Sequence, residues 1–103
     1  IWAETAAEGC LTVDKGAVRA LSREGKSLLP VGVTGVEGSF ERGATVRIVD
    51  PDGHDLARGV SSYSAVELAV IKGHHSNEIE ELLGYAYGAE VVHRDNLVLL
   101  RRG

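Results

Sequence analysis

The chain has almost nothing with which to cross-link itself: one cysteine, Cys10, among 103 residues. A lone thiol closes no intramolecular disulfide, so nothing here requires an oxidising compartment and packing alone must hold the fold. Aromatic side chains are scarce, at one Phe, one Trp and three Tyr. The core is therefore expected to be aliphatic, built from Val, Leu, Ile and Ala. No apolar run approaches the roughly 18 residues needed to cross a bilayer, and no leader pattern precedes the domain. The expectation is a cytoplasmic protein with no membrane partner. Basic excess is lacking too, since 11 Lys and Arg stand against 15 Asp and Glu, a net charge of −4. That excludes a surface that binds nucleic acid everywhere, because phosphate binding rests on accumulated cations. Paired metal ligands are missing as well: Cys10, His54, His74, His75 and His93 show neither CxxC nor HxxxH spacing, so surface histidines are favoured over a metal site.

What the chain does have is glycine, 13 of them, distributed among short apolar segments. This is the pattern of turn-rich β architecture, and the length suits one hydrophobic core. Residues 1–10, small and acidic after Ile1 and Trp2, read as the end of a linker; a Trp so placed is expected to pack on its own domain or on a neighbour. Residues 11–13 are extended. Asp14 supplies an N-cap oxygen for a helix over residues 15–24, closed by Gly25, with Gly16 in its first turn suggesting close approach of another backbone. Residues 28–36, rich in Leu and Val but broken by Pro30, Gly32 and Gly35, predict one sharply bent strand. Glu41, Arg42 and Gly43 make a turn, and Val46 and Ile48 alternate with Thr45 and Arg47 so that one face is core. Asp50, Pro51, Asp52 and Gly53 spell a second turn before a partner strand over 56–61. Ser64 and Glu67 form a capping box for a helix through about Lys72, ended by Gly73. Ser76 or Asn77 caps another helix that stops at Gly84, with Ile79, Leu82 and Leu83 inside. Two last strands, 90–93 and 97–100, flank a hairpin turn at Asp95 and Asn96. The predicted core is Val31, Val33, Val46, Ile48, Leu56, Val60, Ile79, Leu82, Val92 and Val98.

Several segments together carry a resemblance. The run KSLLPVGVTGVEGSFERGATVRIVDPDG at 26–53, Arg58 and Gly59, IKG at 71–73, SNEIEELLGY at 76–85 and VVHRDNLVLL at 91–100 resemble the PUA domain that ends bacterial glutamate 5-kinases. The resemblance covers about residues 11–100, and residues 11–103 are assigned to that domain. It implies a mainly β (α+β) pseudobarrel of mixed, mostly antiparallel strands with two or three short peripheral helices. It also implies an accessory, structural or regulatory role beside an upstream amino-acid-kinase domain, in a homo-oligomeric parent. That parent would use ATP and Mg²⁺ to phosphorylate glutamate on its side-chain carboxylate, the first step toward proline. The catalytic, nucleotide and metal residues would lie in the upstream domain, and no cofactor is expected in this segment. PUA domains elsewhere bind RNA through a helix near their start and the glycine turn beside it, which maps an alternative RNA site to Lys15, Gly16, Arg19 and Arg23.

The residues themselves give that alternative limited support. Lys15, Arg19, Arg23 and Lys26 recur at helical spacing and would line one face, yet a solvated charged stripe opposite Ala17, Val18 and Leu21 is what any amphipathic helix shows. Residues 20–27, ALSREGKS, satisfy a relaxed phosphate-loop pattern, but a phosphate loop needs a strand before it and a helix after it. Here a helix precedes Gly25 and Pro30 lies too deep in the next segment to open one. The glycines of VGVTGVEG are better explained by a bent barrel strand than by a phosphate cradle. No nucleophile, base and orienting acid can be picked out.

Overall fold

In the computed structural model, residues 9–23 and 25–99 are described. Among them are five strands and three α-helices in the order β1 (Gly9–Val13), α1 (Lys15–Arg23), β2 (Val33–Gly38), β3 (Thr45–Val49), β4 (Asp55–Val60), α2 (Ala65–Ile71), α3 (Ile79–Leu83) and β5 (Leu97–Leu99). Short 3₁₀ turns occupy Pro30–Gly32, Ser76–Glu78 and Arg94–Asn96. The strands form one sheet in the order β2-β1-β3-β4-β5. Only β1 and β3 run parallel; the remaining pairs are antiparallel. A parallel pair needs a long crossover, which α1 and β2 supply. The result is the mixed, pseudobarrel-like α+β fold that the sequence suggested. The readings of Ile1, Trp2, Glu24 and Leu100 fall outside the described residues.

Local signals read from the chain are realised closely. Asp14 Oδ1 accepts the Ala17 N–H at 2.8 Å, and Gly25 adopts a φ of +64° beyond the helix. Asp50 Oδ1 accepts the backbone N–H groups of Asp52 and His54, and Gly53, at φ +89°, donates to the Asp50 carbonyl. Strand β1 begins two residues earlier than expected, inside the stretch read as linker.

Six of the ten predicted core residues are buried: Val33, Val46, Ile48, Leu56, Ile79 and Val92. Val31, Val60, Leu82 and Val98 are exposed instead, at 38%, 37%, 40% and 52%. Each departure has a structural cause. A bulge at the Ile48/Val49 step opposes Val49 to Asp55 and Ile48 to Ala57, leaving Leu56 as the additional residue. The bulge reverses the inward phase, so Ala57 and Gly59 face the core and Val60 faces out. Val98 pairs with Arg58 on that same outer face. Val31 sits in the 3₁₀ turn, and the short α3 buries Ile79 while Leu83 packs behind it.

Two predicted elements are corrected. Residues 28–36 are not one bent strand: Pro30 opens a 3₁₀ turn as its first residue, contrary to the sequence reading, because its fixed φ suits that position and its missing N–H is not needed there. Residues 90–93 make no hairpin with 97–99. Val91 and Val92 instead pair across to Leu28 through a single bridge, His93 Nδ1 accepts the Asp95 N–H, and β5 hydrogen-bonds to β4.

At α2 the capping box is complete, with Ser64 N–H donating to Glu67 Oε1 at 2.7 Å and Glu67 N–H to Ser64 Oγ at 3.3 Å. Burial pushes the Glu67 carboxyl up, but hydrogen bonds from Ser64 and the Tyr85 hydroxyl, with the charge of Arg42, more than offset it and hold the group below its ordinary value. A depressed folded value stabilises the fold above the unfolded carboxylate's titration, near 4.5, and that contribution fades as pH falls through the lower folded value. Glu67→Gln should therefore lower the urea midpoint at neutral pH. Its gap from the unsubstituted protein should narrow as pH falls below about 4.5. A gap that does not change with pH would show that the carboxylate's charge is not what matters.

Candidate functional site: a groove beside helix α1

A groove of about 680 Å³ lies between α1, the 3₁₀ turn at Pro30–Gly32 and the segment 90–94. Its walls are distant in sequence, and three hydrogen-bonded contacts join them. Leu28 bridges to Val92, Arg94 N–H donates to Ser27 Oγ at 2.9 Å, and Asp14 N–H donates to the Gly32 carbonyl at 3.0 Å. Close approach of α1 to this wall depends on glycine: a Cβ on Gly32 would lie 2.8 Å from the Ala17 methyl. The sequence reading assigned that role to Gly16, yet a Cβ there would meet only Asp14 Oδ1, at an unstrained 3.5 Å.

The groove has apolar sides with a mixed polar rim. Ala17, Ala20, Leu21, Leu28, Leu29 and Val31 provide the former, while Lys26, His93, Arg94, Asp14 and Glu90 provide the latter. Such a lining suits a ligand with a flat apolar part and a polar edge. Of the residues proposed for RNA, Gly16 lines the groove. Lys15, Arg19 and Arg23 are exposed along the adjoining row of α1. At the helix start the Asp14 carboxylate accepts the Ala17 N–H, so an incoming phosphate would meet a resident anion. Sequence reasoning missed the other wall, because it placed Val31 in the core, whereas Leu29 and Val31 on either side of Pro30 are exposed.

Elsewhere the chemistry is sparse. The GKS residues 25–27 follow α1, and the Lys26 N–H donates back to the Ala20 carbonyl at 3.2 Å, closing the helix rather than facing a phosphate. Asp50, Asp52 and His54 bring ligand-type atoms within 4.8 Å of one another. Their geometry is that of a turn, and the His54 and Asp52 N–H groups hold the Asp50 carboxyl below its ordinary value. Among the described residues no helix is long and apolar enough to cross a membrane.

Comparisons with known proteins agree with this geometry. The family model of the PUA domain matches residues 9–83. Glutamate 5-kinase from Trichlorobacter lovleyi is 61% identical over 92 residues, covering 89% of this chain and 24% of that protein. The enzyme of the same name from Deinococcus radiodurans is 57% identical over 94 residues, covering 91% and 26%. The chain thus spans about a quarter of the length of these curated relatives. Among solved structures, a PUA domain from Aeropyrum pernix crystallised with tartrate superposes with a TM-score of 0.62 at 32% identity, covering 84% of this chain and 41% of that one. A chain of the archaeal box H/ACA sRNP Nop10–Cbf5 complex shares the fold at 22% identity and a TM-score of 0.55, over 58% of this chain and 19% of that one. On the family match and the fold together, the chain belongs to the PUA domain family.

Proposed function

We propose that the chain is the C-terminal accessory domain of a glutamate 5-kinase, shaping the stability, assembly or control of an upstream amino-acid-kinase domain without carrying its chemistry. The observation that bears this reading is the 52–61% identity to enzymes of that name across 89–97% of the chain. The parent is a cytoplasmic homo-oligomer that uses ATP and Mg²⁺, held by residues of the upstream domain. Grafting residues 9–99 in place of the matching segment of the Trichlorobacter lovleyi enzyme tests it. The chimera should keep the glutamate-phosphorylating turnover and assembly state of the recipient. A chimera that folds but loses both would contradict the proposal.

A second reading, RNA binding, has one observation in its favour: the groove beside α1, flanked by Lys15, Arg19 and Arg23. Against it stand Asp14 and Glu90 in the groove and the net charge of −4. Replacing Lys15, Arg19 and Arg23 together by alanine should change stability by less than about 0.5 kcal/mol per site, as for other exposed charges. The unsubstituted chain should show no micromolar RNA binding near physiological salt. Such binding, lost in the triple variant with a salt slope lowered by about one ion per removed charge, would make RNA recognition the primary function.

A further inference from the structure

Helix α2 has a second face that the domain does not use. Ala65, Glu67, Leu68 and Ile71 are buried, whereas Val66 is 77% exposed and Val70 42%. With exposed Ala69 they stand at i, i+3 and i+4, forming one outward apolar row. Valine gains nothing from such a surface, being a modest helix former with apolar area left in water. Two tyrosines extend apolar area toward the same helix. The Tyr85 hydroxyl donates to Glu67 Oε2 at 2.6 Å, and its ring lies 5.1 Å from that of Tyr87, both rings remaining substantially exposed. The start of α2 also adjoins the point where the polypeptide joins the sheet. Ala65 N–H donates to the Phe40 carbonyl at 3.0 Å, and the Phe40 ring presses on Gly9 so closely that a Cβ there would fall 2.2 Å from it.

We propose that the Val66–Ala69–Val70 face docks on the domain that precedes residue 9 in the longer protein, an inference that rests on the kinase reading above. Three observations select this occupant over a freely diffusing partner. The matched relatives extend over about three quarters of their length beyond the match. The start of the same helix reaches, through Phe40, to Gly9, where the segment that would lead to that domain enters the sheet. The face is also small, a short row on a seven-residue helix, and so supports only weak affinity. Weak contacts suffice when a tether keeps the effective concentration near the millimolar range, and fail for partners that must be captured from solution.

The test is thiol labelling at a substituted Val66→Cys, read by peptide mass so that Cys10 does not interfere, with Val70→Cys as a second site. Both positions are exposed, so the isolated chain should fold and label rapidly. In the longer protein, maleimide labelling at these positions should slow by about tenfold, as a tethered contact with sub-millimolar affinity requires. Equal rates in the isolated and longer proteins would overturn the proposal. Slow labelling already in the isolated chain, with a dimer in sedimentation, would overturn it in favour of a second copy. Glutamate phosphorylation is assayed on the same longer protein. Protection without that activity would retain the docking face and remove the kinase reading.

Discussion

Tyr63→Ala should be among the most damaging single substitutions in this domain, costing about 3–5 kcal/mol. For a domain of this size that corresponds to a fall in melting temperature of roughly 15–30 °C. Tyr63 is completely buried, and it is the largest of the fully buried side chains. Its hydroxyl donates to the Gly88 carbonyl at 2.7 Å and accepts the Tyr87 N–H at 2.8 Å. Ring and hydroxyl thereby hold the irregular segment 84–90 against the sheet, and Tyr87 in turn carries the Arg42 guanidinium 4.0 Å above its ring. Truncation removes the packing and releases that segment together. Tyr63→Phe separates the two effects: it keeps the ring and should cost only about 1 kcal/mol, since the exposed backbone partners can turn to water. Thermal unfolding followed by circular dichroism checks both. A Tyr63→Ala variant within 1 kcal/mol of the parent, on the scale of about 4–8 °C per kcal/mol, would show that the segment is held by something else.

Gly59→Ala should cost about 3 kcal/mol by a different route. A Cβ there would lie 2.6 Å from Val92 Cγ1 and 2.9 Å from the Asn96 carbonyl oxygen. The second contact is with backbone, so no side-chain rotation relieves it, and the 92–97 segment must move off β4. Gly43→Ala supplies the control. Gly43 has φ +88° and open space around it, so its substitution costs only the left-handed conformation, about 1–2 kcal/mol. Urea unfolding of the two variants decides the matter. If Gly59→Ala is no worse than Gly43→Ala, the close approach of the two segments is not real.

These two sites mark where the sequence stops being legible. Features set by neighbours in the chain were readable from it: the Ser64/Glu67 capping box, the Asp50–Gly53 turn, the Asp14 cap, and the alternation of Val46 and Ile48. Features set by a distant partner were not. The inward phase of β4 depends on a bulge in its pairing with β3, so Leu56 and Val60, four apart and in the same alternation phase, part company. Val92 was correctly placed in the core, but its partner is Leu28, and no local pattern announces a pairing across more than sixty residues. The candidate site shows the same division. Gly16, singled out as part of the helix, lines the groove, while the opposite wall depends on the Leu28–Val92 and Ser27–Arg94 contacts. Segment 84–90 has no period of its own, so its dependence on Tyr63 was invisible before the fold was known.

The most direct test of the account is glutamate-dependent turnover of ATP, measured side by side for residues 1–103 and for the longer protein carrying its upstream domain. The account predicts turnover with Mg²⁺ for the longer protein and none for the isolated domain. Turnover by the isolated domain, abolished by Lys26→Ala, would contradict it, because it would turn the GKS residues 25–27 from a helix terminus into a working phosphate loop.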